Sequence, residues 1–128
     1  MFDMHCPMHV GRLSDRGGNW LVIKWFGDKT NLHTLWDSKL VESAHAWSYT
    51  EWQQNLDRCT KAEFKEMSAG TPEDWLTETW KITVDIYANV KTDENYSYKY
   101  VYDYAPVVER QFLLAGYRLA ALLNRIFG

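Results

Sequence analysis

The stretch VERQFLLAGYRLAALLNRI, residues 108–126, decides the class of the fold. Val108, Phe112, Ala115, Leu119, Leu122 and Ile126 recur at alternating intervals of four and three, the repeat of one face of an α-helix, while Arg110, Gln111, Arg118 and Arg125 fall on the opposite side. Working outward, residues 91–97 are polar and read as a loop. Before them Thr71 and Pro72 supply a cap and a first-turn proline for a helix running to about Ala88, with Trp75, Thr79, Ile82 and Ile86 on one face. Thr60 with Glu63 three residues on predicts a capping box for residues 61–67, and residues 49–58 predict another helix. Leu32, Leu35, Trp36 and Leu40 form a helical stripe up to about Val41. The β-rich run Trp20-Leu21-Val22-Ile23-Lys24-Trp25-Phe26 is closed by a turn at Gly27-Asp28, and a loop over residues 11–19 precedes it. Pro7 ends any helix arriving there. The expected fold is all-α, a single mainly helical domain with two short strands forming a β-hairpin near residues 19–27.

Composition bounds the function. A chain of 128 residues makes one domain, and 46% hydrophobic with 24% charged residues is a folded composition without a disordered signature. A net charge of −3 lacks the broad basic footprint that non-specific duplex binding needs, yet it allows an enzyme that meets phosphate through bound cations. The aromatic content of 16% suits a core, an interface or a base-stacking platform alike. Cys6 and Cys59 allow one disulfide or two thiols. No run approaches the eighteen apolar residues of a membrane span.

One constellation carries chemistry. Asp3 and His9 flank a proline turn, and His33 and Asp37 stand four residues apart on the predicted helix, with Cβ atoms about 6 Å apart on one face. Imidazole nitrogen with carboxylate oxygen suits zinc, and a glycine-rich loop folding back would bring the early pair against the later one. The spacing matches no standard finger or protease motif. No serine or cysteine arrangement offers a side-chain nucleophile.

The stretch Asp3-Met4-His5-Cys6-Pro7-Met8-His9-Val10-Gly11 resembles the Asp-x-His-Gln-Pro-Leu-His-x-Gly signature of the S1/P1 nucleases. Gly17-Gly18-Asn19 resembles the Gly-Gly-Asn of that family's next loop, and Asn31-Leu32-His33-Thr34-Leu35-Trp36-Asp37-Ser38 its Asn-Leu-His-x-x-Trp-Asp-Ser run. Residues 115–120 and 122–124 are similar to the family's ending. The resemblance implies a phospholipase C/P1 nuclease-like fold and an active site of three zinc ions. It makes Asp3 the catalytic carboxylate that bridges ions, and His9, His33 and Asp37 the residues completing one ion's coordination. Asn19 falls where the family touches the nucleotide base. His5 is no ligand in this pattern and reads as core or as a support behind the site. Two positions depart from it: Cys6 stands for Gln and reads as a buried inert thiol, and Phe2 replaces a small residue and implies altered packing behind the cluster.

The resemblance further implies that residues 1–128 are the carboxyl-terminal part of one domain. The remaining zinc ligands would then belong to an amino-terminal segment or complementary chain, without which this chain is expected to be inactive. The implied activity is zinc-dependent hydrolysis of single-stranded DNA and RNA to 5'-phosphates, with 3'-nucleotidase activity, by a secreted or periplasmic protein. A phospholipase C of the same fold and a non-catalytic helical binding module are the alternatives.

Overall fold

In a computed structural model describing residues 1–128, the chain is helical apart from a small sheet. A short helix α1 (Phe2–His5) leads through Cys6 into a 3-10 turn (Pro7–Val10) and a second one (Leu13–Asp15). Strands β1 (Val22–Trp25) and β2 (Asp28–Asn31) follow. Then come α2 (Leu32–Thr34), a π-helical turn (Leu35–Lys39), α3 (Leu40–Ala44), α4 (Tyr49–Leu56), α5 (Lys61–Met67), α6 (Pro72–Ala88), β3 (Asn95–Tyr96) and α7 (Tyr98–Phe127). Both expected caps are present, Thr60 and Thr71 each closing a capping box with Glu63 and Asp74, and Ser48 closes a further one with Glu51 that the sequence reading did not include.

The hairpin lies later than the sequence suggests. Its register pairs Val22 with Asn31 and Trp25 with Asp28, so Phe26 and Gly27 form the turn and Asp28 already begins β2. Both turn residues have positive φ, 50° and 86°, the geometry that matches the twist of a tight hairpin. A third strand, β3, pairs parallel to β1 where only a loop is expected; Asn95 fixes it by accepting a hydrogen bond from the Gly27 N–H at 2.8 Å. Two residues are too few for a periodicity to register.

Helix α7 starts ten residues before the apolar repeat and runs through Pro106. Proline removes one backbone hydrogen bond there. The segment is drawn into the helix by Tyr100, which is buried, accepts a hydrogen bond from Trp36 Nε1 at 2.8 Å, and meets Trp25 and Tyr104 ring to ring. The core joins the hairpin, α2, the π turn, α3, α6 and α7 through Ile23, Leu32, Leu35, Trp36, Leu40, Ile86 and Val108. Full burial of each aliphatic side chain contributes about 1.5–3 kcal/mol.

Two residues assigned to the solvent side of α7 are instead interior: Gln111 and Arg118 are 6% and 3% exposed. Arg118 donates to Met67 O at 3.1 Å and His5 Nε2 at 2.8 Å and pairs with Glu78. Gln111 donates to His5 O and Thr79 Oγ1. Helix α7 therefore packs on two sides, against α3 and against α1 and α5, whereas a single apolar stripe predicts one. The stripe itself ends in the open, with Ile126 68% exposed.

Because His5 donates Nδ1–H to Met1 O, its Nε2 is an acceptor facing a guanidinium; burial first, and Arg118 with it, lowers the imidazole's proton affinity below its ordinary value near 6.5. The unfolded chain then takes up a proton that the folded chain refuses. Stability is full above about pH 6.5 and falls as pH drops from there. Chemical denaturation at about pH 6.5 and 5.5 should show a loss in the native chain that is smaller in His5→Gln, itself less stable at both.

Candidate metal centre

Three pieces of chain converge on one spot. The proline turn presents His9, because Pro7 is preset for the first position of the short helix and its carbonyl is held by Thr83 Oγ1 of α6 at 2.7 Å. Helix α1 carries Asp3 on the exposed side of the same segment, with its side chain 92% accessible. The helix after β2 presents His33 and Asp37. Asn31 ends the strand and caps that helix, its Oδ1 accepting from the Thr34 N–H at 2.8 Å.

The third piece departs from a plain α-helix. Leu40 N–H reaches back to Leu35 O, an i→i+5 bond, so Leu35–Lys39 is a π turn with Asp37 at its centre. The extra residue in the turn lets Leu35, Trp36 and Leu40 all be buried while Asp37 stays half exposed towards His9.

Three of the four sequence-predicted ligands, Asp3, His33 and Asp37, meet around the ring of the fourth, His9. Its Nε2 is 3.0 Å from Asp37 Oδ1, its Nδ1 is 3.5 Å from Asp3 Oδ1, and the His33 ring stacks on it with centroids 5.4 Å apart and planes 12° apart. His33 donates Nδ1–H to Gly17 O at 2.9 Å, which fixes its tautomer and leaves the Nε2 lone pair free. Metal-binding histidines typically carry such a bond on the far nitrogen.

The donor set fits a divalent cation of borderline softness. Imidazole nitrogen and carboxylate oxygen are the donors that such a cation takes together. Two ligands each about 2.1 Å from one ion stand roughly 3.0–3.4 Å apart, which matches His9 Nε2 and Asp37 Oδ1.

The glycine-rich loop is what lets His33 find its carbonyl. Gly17 and Gly18 have φ of 65° and 85°, and a Cβ on Gly17 would lie 2.8 Å from Met8 O. Asp15 Oδ1 accepts from the Gly18 N–H and from Tyr87 Oη, both at 2.9 Å, and the Arg12 guanidinium lies 4.2 Å above the Tyr87 ring. Tyr87 on α6 thus latches the loop. Sequence reasoning missed it, since a tyrosine beyond the apolar face of a helix carries no signal of a partner 72 residues away. Asn19 is exposed, and its amide donates to Arg16 O at 2.7 Å within its own loop. The two cysteines do not pair; the Cys6 thiol is pushed up by burial, against backbone N–H groups of Met8 and His9 that favour the thiolate. Phe2 meets Phe112 edge to face, away from the ligands.

Known proteins share this arrangement of sequence. The S1/P1 Nuclease family matches residues 1–128. Endonuclease 2 of Arabidopsis thaliana is 35% identical over 142 residues, covering 100% of this chain and 49% of the relative. Endonuclease 4 of the same plant is 35% identical over 98% of the chain and 47% of its own length. Nuclease S1 of Aspergillus oryzae is 28% identical over 97% of the chain and 50% of its own length. The chain spans about half the length of the curated relatives it matches. With its helical fold and matching sequence over its whole length, the chain belongs to the S1/P1 nuclease family.

Proposed function

We propose that this chain supplies the carboxyl-terminal part of a zinc-dependent nuclease that hydrolyses single-stranded DNA and RNA to 5'-phosphates and removes 3'-phosphates from nucleotides. The observation that carries the reading is His9 held between Asp3 and Asp37, with His33 stacked on it and oriented by Gly17 O. His9, His33 and Asp37 hold one ion, and Asp3 is the catalytic carboxylate. Zinc bound here supplies a polarising charge for phosphate and a water acidic enough to attack at neutral pH. The chain's own task is placement. His33 keeps its lone pair aimed by donating to Gly17 O, and Asp37 is aimed by the π turn. Asp3, open to solvent, is free to be shared with cations whose other ligands lie elsewhere, and it can accept a hydrogen bond from an incoming water and orient it towards the phosphate. Asn19 is assigned to the base of the substrate. The likeness to plant and fungal nucleases supports nucleic acid and not phospholipid as the substrate of this chain. We extend a secreted or periplasmic location from the same resemblance; no helix is long and apolar enough to cross a membrane.

The ligands missing from a set of three ions are assigned to a complementary amino-terminal half. The accessible surface, 8243 Å², exceeds by roughly 1,100 Å² the roughly 7,100 Å² expected for a free-standing domain of 15.1 kDa. A specific interface hides about 800 Å² per partner. Part of the open surface is an apolar groove between α4, α5 and α7, lined by Trp52, Leu56, Phe64, Phe112, Leu113 and Tyr117.

Three measurements test these assignments. The chain alone should release at most traces of 5'-nucleotide from single-stranded DNA at saturating zinc. Addition of the complementary half should restore solubility and cleavage together, since ligand assembly and burial of the shared face are one event. A lone monomer that cleaves at the assembled rate, or an assembled protein that attacks phosphatidylcholine and not DNA, would overturn the proposal. In the assembled protein Asp3→Asn should abolish activity whatever the zinc concentration, while His33→Ala should recover in part with excess zinc; equal, unrecoverable loss in both would contradict the separate roles. Tyr87→Phe unlatches the loop behind His33 and should weaken zinc binding by about tenfold, read by competition with a chromophoric chelator, without unfolding the protein.

A further inference from the structure

Cys6 lies outside the four-residue set but within its reach. Its Sγ, a ring nitrogen of His9 and a carboxylate oxygen of Asp37 all lie within 4.8 Å of one another. The placement follows from the backbone. Cys6 is the extended residue (φ −85°, ψ 118°) that ends α1 and begins the turn at Pro7, so its side chain is set against the N–H groups of Met8 and His9 at the start of that turn. On the other side the apolar wall of Phe2, Pro7, Trp36 and Val41 keeps the thiol half-buried. A thiol aimed at a lone core position would have only apolar neighbours; this one shares its space with an imidazole and a carboxylate.

We propose that Cys6 is a metal ligand, adding a sulfur donor to the ion held by His9 and Asp37. The inference rests on the metal site proposed above and adds a donor that the family signature, with Gln at this position, does not provide. The ligand class is a thiophilic divalent cation such as zinc or cobalt(II), which accepts sulfur, nitrogen and oxygen together. On binding, the Cys6 S–H bond breaks, its proton passes to the buffer, and the sulfur lone pair forms the bond to the cation; no electrons change hands. A thiolate and a carboxylate together neutralise a doubly charged ion, so the site retains its metal more firmly. Substitution of Gln by Cys is then a change of ligand set and not of packing.

Titration of the chain, assembled with its complementary half, with cobalt(II) under reducing conditions tests this directly. Cobalt binding to imidazole and carboxylate gives visible d–d bands, and a bound thiolate adds a near-ultraviolet sulfur-to-cobalt band. In the native chain both should saturate together. Cys6→Ser should keep the visible bands and lose the near-ultraviolet one, with one proton fewer released per cobalt, whereas Cys59→Ser should keep both. Cobalt should also protect Cys6, and not Cys59, from alkylation mapped by mass spectrometry, a measurement that needs no variant. Visible bands without the near-ultraviolet band, or no protection of Cys6, would overturn the sulfur ligand and leave the imidazole–carboxylate site standing. A chain that binds no cobalt at all would overturn both.

Discussion

The buried guanidinium of Arg118 is the interaction on which the arrangement of this chain depends. From the interior of α7 it reaches the end of α5 through Met67 O, α6 through Glu78, and α1 through His5. It also lies over the Trp75 ring at 5.1 Å. A desolvated cation costs several kcal/mol unless each of its donors is met, so α1, α5 and α6 can take up only the positions that satisfy it. Gln111, about two turns earlier, holds the His5 carbonyl and Thr79. Together they fix the first residues of the chain on the helical frame, and Asp3 and His9 are carried on those residues.

The site is built on that frame by backbone groups more than by side-chain packing. Thr83 holds the Pro7 carbonyl, Gly17 offers its own carbonyl to His33, and Asn31 caps the helix on which His33 rides. Each contact is worth about 1 kcal/mol in stability, yet each removes a rotation that would spread the side chains of the candidate site. Where a site must hold a cation between imidazole and carboxylate, placement within a fraction of an ångström counts for more than the energy of any one bond. The π turn has the same meaning. It uses one extra residue to send Asp37 towards His9 while its neighbours Leu35 and Trp36 stay in the core.

The surface tells the other half of the story. The apolar groove between α4, α5 and α7 and the bare end of α7, with Leu123, Ile126 and Phe127, leave apolar surface open. Open apolar surface and an exposed Asp3 are the features on which the proposed sharing of fold and site with a second segment rests.

The sequence by itself determined the helices whose signals are local. The capping residues Thr60 and Thr71, the proline at the start of α6 and the four-three repeat of α7 each act over neighbouring turns, so their meaning does not depend on the rest of the chain. The pairing of residue types that can bind a metal was also legible, because imidazole and carboxylate carry their chemistry with them. What only the tertiary structure decided depends on contacts between distant residues. Arg118 and Gln111 read as a wet face until α1 and α6 are seen to cover them. Strand β3 exists because β1 is beside it, and the turn of the hairpin sits at Phe26 and Gly27 because the register with Asn31 requires it. That His9 stands between Asp3 and Asp37, with Cys6 close by, follows from a glycine loop folded onto the proline turn and latched by Tyr87. Local propensity ends at a helix cap, and these groups are brought together only by burial and hydrogen bonding across the whole chain.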